Sequence, residues 1–170
     1  MSKEDMISAL YLSADILEYP QGEYIKKIDE LYSFTTQKPK HFDMSYLQSE
    51  HIRIFNIDTL SLRCVPFASW WIDGKMGGVS YQEIESFYEE CGFVLDRELI
   101  KKPSDHISLM LTFVAMLLEE GRFEEIERFA RFLNWLDDFA DSLDKASKID
   151  YFRDAVNISN MILNSFKERR

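Results

Sequence analysis

Cysteine is scarce in this 170-residue chain: only Cys64 and Cys91 occur, and no C-x-x-C can be written. A zinc knuckle and a thioredoxin-like redox motif are thereby excluded. Histidine is nearly as rare, and His41, His51 and His106 show neither H-E-x-x-H nor another metal-ligand spacing. No G-x-S-x-G is present, and "DGKMGGVS" lacks the spacing of a P-loop and follows no strand pattern. Long hydrophobic runs are missing as well. The longest near-apolar stretch, 107–118, is bounded by Asp105 and Glu119 and is too short to span a bilayer, so it reads as a buried core helix. The N-terminal "MSKEDMISALYLSADILEYP" has no basic region ahead of a long apolar block, so a cytoplasmic protein without stable membrane insertion is expected. Basic residues are outnumbered, 20 against 30 acids, for a formal charge of -10. Such a surface repels nucleic acid and favours cationic partners.

What is present is apolar and periodic. Hydrophobic residues make up 46% of the chain and aromatics 14%, enough for a sizeable core in one domain spanning residues 1–170. Met6, Ile7, Leu10, Ala14 and Leu17 recur at helical spacing until Pro20 and Gly22 break the pattern. Tyr24, Ile25, Ile28, Leu31 and Tyr32 predict a second helix, residues 35–41 a loop, and Met44, Leu47, His51, Ile54 and Phe55 a third helix over 43–56. Periodicity then fails over 56–79, which holds Pro66, three of the six glycines and the adjacent Trp70 and Trp71. A loop this long inside one domain points to function. Ser80 with Glu83 matches a capping box for the next helix, which ends at Gly92. Three more helices follow: 107–120, apolar almost all round and hence central; one carrying Phe123 to Leu143; and one carrying Ile149 to Phe166 that ends in "KERR", complementing the helix dipole. The expectation is an all-α protein of about seven helices.

Three features carry chemistry. In "KKPSDHI" (101–107) an acid and an imidazole stand at the start of the central helix. Adjacent helical residues point about 100° apart, so Asp105 and His106 cannot bond each other as in a triad. Pro103 biases Lys102 away from helix, and Ser104 or Asp105 can cap the helix. That account needs no function and leaves His106 unexplained, except as a neutral hydrogen-bonding group near a positive dipole end. Trp70 and Trp71 cannot both point inward, so at least one is expected at the surface or in a groove, either covering the core or anchoring a ligand. Between Glu119 and Asp144 nine acids face three arginines, a solvated face or a field for a basic peptide. A small hydrolase or nucleotide-binding enzyme built on Asp105 and His106, and a helical adaptor subunit, remain as alternatives.

Four motifs in this order resemble the TorD/DmsD/NarJ family of redox-enzyme maturation chaperones. "SEHIRIF" (49–55) resembles the family's acid-x-x-x-Leu-Phe helix, and "VPFASWWIDGKMGG" its Pro-Pro-Tyr-Glu-Ser segment. "FYEECGF" (87–93) resembles its Tyr-x-x-x-Gly-Phe turn, and "KPSDHISLMLTFVAMLL" its Glu-Pro-x-Asp-His helix, with Trp135 in the helix beyond. Lys102, Ala68 and Met110 depart from the acids usual at those places. The resemblance implies an all-helical cytoplasmic chaperone, not an enzyme. Its partner would be the apo form of a molybdopterin-dependent oxidoreductase and that client's N-terminal Arg-Arg signal peptide, held until cofactor insertion and export. It further implies a client-binding set of Trp70, Trp71, Asp105, His106, Pro103, Ser69, Phe67 and Tyr88. No resident cofactor or metal is expected, although weak guanine-nucleotide binding and a monomer or domain-swapped dimer go with the family.

Overall fold

The structure, a computed structural model, describes residues 1–55 and 64–167. Among these residues nine α-helices and one 3-10 turn occur, with no strand beyond a single isolated bridge. The all-α expectation holds. Helix α1 (Lys3–Ile16) starts at a Ser2 cap whose hydroxyl accepts the Asp5 N–H while the Asp5 carboxylate accepts the Ser2 N–H. Its apolar stripe packs on α6 (Ile107–Glu119) and α9 (Tyr151–Lys167). Helix α2 (Tyr24–Tyr32) follows, pinned by the Tyr24 hydroxyl donating to the Ile16 carbonyl at 2.6 Å. Central α6 buries nine of its residues, as its all-round apolarity requires.

Helix α3 (Met44–Phe55) is fixed by its one buried acid. Glu50 takes a two-pronged bond from Arg53 (2.8 and 2.7 Å) and the Lys148 N–H at 2.7 Å, while Arg53 also donates to the Ala146 carbonyl. Burial alone would raise the Glu50 pKa, but these donors more than offset it and hold it below the usual carboxylate range. The acid of "SEHIRIF" therefore ties α3 to the turn between α8 (Leu136–Ala146) and α9.

Three expectations need correction, and the count rises above seven with them. First, a short helix, α4 (Ala68–Asp73), stands inside the predicted loop; its six residues are too few to show a period. Residues 56–63 of that loop lie outside the described residues, as do 168–170 of the C-terminal "KERR". Second, the expected helix from Phe123 to Leu143 is broken into α7 (Phe123–Phe129), a 3-10 turn (Ala130–Leu133) and α8. Apolar residues continue across the break because 3-10 geometry repeats every third residue and keeps the same side inward. Third, Ser80 caps nothing. Helix α5 (Val79–Glu90) has Gly78 at its N-cap, and Ser80 donates its N–H (2.9 Å) and hydroxyl (2.6 Å) to the Asp73 carboxylate.

Candidate functional site

The residues singled out around positions 67–71 and 103–106 come together where the chain before α4 runs antiparallel to the chain before α6. The Ala68 N–H donates to the Asp105 carbonyl at 3.0 Å and the Ile107 N–H to the Pro66 carbonyl at 2.9 Å, bridging Phe67 to His106. The Phe67 and His106 rings meet edge to face, 5.2 Å apart.

Asp105 does not cap α6, nor does Ser104. It is 1% exposed, and its Oδ2 accepts the Ser69 N–H (2.9 Å) and the Ser69 hydroxyl (2.6 Å). Ser69 is the second residue of α4, so this carboxylate caps a helix that begins 37 positions earlier, at Ala68. Ser69 Oγ in turn accepts the Gly77 N–H at 3.0 Å, which folds the 74–78 turn back onto α4. Gly74 and Gly77, at φ 72° and 66°, supply the left-handed conformations that turn requires. Asp73 repeats the device one helix later through Ser80. Two Asp–Ser clamps thus fix both ends of α4, and Asp105 Oδ1 is left buried with no hydrogen-bond partner among the described residues.

The cap of α6 is His106 itself, whose Nδ1 accepts the Ser108 N–H at 3.2 Å. Accepting there leaves that nitrogen unprotonated and makes the ring neutral. Burial first, and the nearby charges of Lys102 and His51 second, lower its pKa to about 3. Ser108 Oγ, 2.7 Å from the same Nδ1, also donates to Glu18, which receives Lys102. Asp105 thus serves α4 while His106 serves α6; the pair lies side by side without a shared catalytic geometry. Pro103 is exposed and its carbonyl accepts the His106 N–H. Tyr88 is buried and donates from its hydroxyl to the Ser104 carbonyl at 2.9 Å.

The two tryptophans diverge as adjacent side chains must. Trp71 turns inward, donating to the Val65 carbonyl at 2.8 Å and stacking on Trp135 at 5.9 Å and 9°. Trp70 is 44% exposed, and beside it in the chain Ile72, Met76 and Val79 are exposed too. These last three were not singled out in the sequence, where isolated apolar residues in a supposed loop carry no pattern. Among the described residues no group of His, Cys, Asp and Glu is placed to hold a metal ion, and no helix is long and apolar enough to cross a membrane.

The helical core thus clamps one short helix on which Trp70 and Ile72 stand exposed. The same fold is found in a crystal structure from Archaeoglobus fulgidus designated a redox enzyme maturation protein, with a TM-score of 0.70, 24% identity, and coverage of 92% of this chain and 93% of that one. Residues 19–146 match the nitrate reductase delta subunit family, and the chain belongs to that family. It is also similar to the chaperone protein TorD of Aggregatibacter aphrophilus (strain NJ8700), 26% identical over 106 residues, 61% of this chain and 50% of the relative. The chain thus spans about half the length of that curated relative.

Proposed function

We propose that this protein is a cytoplasmic maturation chaperone, without catalytic turnover, for a molybdopterin-dependent oxidoreductase. It holds the apo-enzyme, through an N-terminal segment with paired arginines ahead of an apolar run, until the cofactor is inserted. The observation that carries this reading is the clamped α4: Asp105 and Asp73 spend two carboxylates on orienting six residues, of whose two tryptophans Trp71 turns inward and Trp70 is left 44% exposed. An exposed tryptophan on a rigid support is the usual anchor of a recognition surface. The formal charge of -10 favours a partner with paired arginines. Family membership and the likeness to TorD support the class of client.

The test is co-expression of a molybdenum oxidoreductase bearing an Arg-Arg leader with this protein, reading the molybdenum content of the purified enzyme. Higher occupancy with the wild type than with Trp70→Ala supports the proposal. Equal occupancy with and without the protein contradicts it.

A further inference from the structure

On a different part of the surface, a cleft runs between α5 and α6 beneath the segment that joins them. It shares no lining residue with α4. One half is a polar hollow of about 200 Å³ with Glu85, Glu89, Arg97 and Ser104 on its walls. The other is an apolar hollow of about 190 Å³ lined by Phe93, Ile100, Leu109, Phe113 and Met116 among others. That is larger than the ~150 Å³ apolar cavity that accepts benzene. Tyr88, Val94 and Leu95 line both hollows, so the two adjoin. Val94 is 87% exposed and Leu99, on the same connecting segment, 80%.

The polar half is not electrically closed. Glu85 is committed: its Oε1 accepts the Ser104 hydroxyl at 2.6 Å, Tyr81 at 2.9 Å and Arg97 at 2.6 Å. Arg97 is thereby offset. Glu89 is exposed and has no ion-pair partner among the described residues. The cleft therefore offers one uncompensated negative charge beside a greasy hollow, in a protein already at -10. A compact small molecule fills one half or the other. An extended chain with a cation followed by bulky apolar side chains fills both.

Resting on the chaperone reading above, we infer that the α5–α6 cleft is a second client subsite, taking an apolar stretch of the client's polypeptide with a flanking Arg or Lys at Glu89. Trp70 and this cleft then grip different parts of one extended segment. Tyr88 couples them physically, since its ring walls the cleft while its hydroxyl holds the Ser104 carbonyl next to Asp105.

The probe is a synthetic peptide with an Arg-Arg pair ahead of an apolar run that contains one benzoylphenylalanine. It is irradiated with the full-length protein and the adduct is mapped by mass spectrometry. Labelling of Leu109, Phe113 or Met116 is expected. Val94→Glu, a change at a solvent-facing position that leaves the fold intact, should weaken peptide binding about tenfold. Glu89→Lys should weaken the Arg-Arg peptide several-fold and leave a Gln-Gln version unchanged. Labelling confined to the Trp70–Val79 segment, with both variants binding as wild type, overturns the cleft and leaves the chaperone reading standing. No saturable labelling anywhere overturns both.

Discussion

Replacing Asp105 by alanine removes the acceptor for two donors of Ser69, a residue that is itself fully buried. A buried donor left without a partner costs about 1–3 kcal/mol. The hydroxyl can rotate and recover part of its loss; the backbone N–H cannot. The sum is on the order of 3 kcal/mol, or roughly 6–12 °C in thermal midpoint at 2–4 °C per kcal/mol for a chain of this size. Asp105→Asn keeps an oxygen for Ser69 but places its NH2 where Oδ1 now sits buried without a partner among the described residues, which costs about 1–2 kcal/mol. The order of midpoints should be wild type, then Asn, then Ala. From the sequence alone, with Asp105 a candidate cap of the helix after it and Asn as good a cap as Asp, Asn would change the midpoint little. Calorimetry, with near-ultraviolet dichroism to follow the tryptophans, separates the two views. An alanine variant melting within about 2 °C of wild type would refute the clamp.

The remaining expectations are shorter. Trp70→Ala should leave the midpoint nearly unchanged and weaken client-peptide binding at least tenfold by calorimetry, whereas Trp71→Ala should destabilise by about 3–5 kcal/mol because it removes a stacked, hydrogen-bonded ring. Gly78→Ala would put a Cβ 2.2 Å from Asp73 Oδ2, so it should cost about 1–3 kcal/mol in chemical denaturation as the second clamp is displaced. His51 and His106 have folded-state pKa values lowered by burial to about 4 and about 3, from an unfolded value of 6.5. The unfolded chain therefore binds more protons between these limits. The stability of keeping both rings neutral is full above pH 6.5 and drains away as pH falls through 4 towards 3. Midpoints measured from pH 7 to 5 should decline, less steeply in His106→Gln; a flat wild-type profile would contradict the assignment.

Much of the fold is written in local pattern. The stripe from Met6 to Leu17, the all-round apolarity of 107–119 and the repeat through Phe166 each specify a helix without reference to anything distant. Helix α4 is not written that way. "ASWWID" is under two turns long, and what makes it a helix is a carboxylate 36 positions downstream of Ser69. The Ser80–Glu83 spacing fits a capping box, but Asp73 reaches Ser80 first, a competition that only three-dimensional proximity decides. At the site, the divergence of Trp70 and Trp71 was legible because adjacent side chains cannot share a direction. Burial of Asp105 was not, since an acid before a helix reads as a cap for that helix. The α5–α6 cleft left no mark in the sequence either, as Phe93 and Val94 lie on a different segment from Leu109 and Met116 of α6.

The central claim is that α4 presents a surface for a client's arginine-containing leader. Its most direct test is an isothermal titration of a peptide with paired arginines ahead of an apolar run, against wild type and Trp70→Ala, at low and moderate salt. The account predicts saturable binding to wild type, weakened by salt because exposed charge attraction is screened within about 10 Å at 0.1 M, retained in part through apolar burial, and weakened at least tenfold in Trp70→Ala. Equal binding by the variant, or by a peptide with both arginines replaced by glutamine, would contradict it.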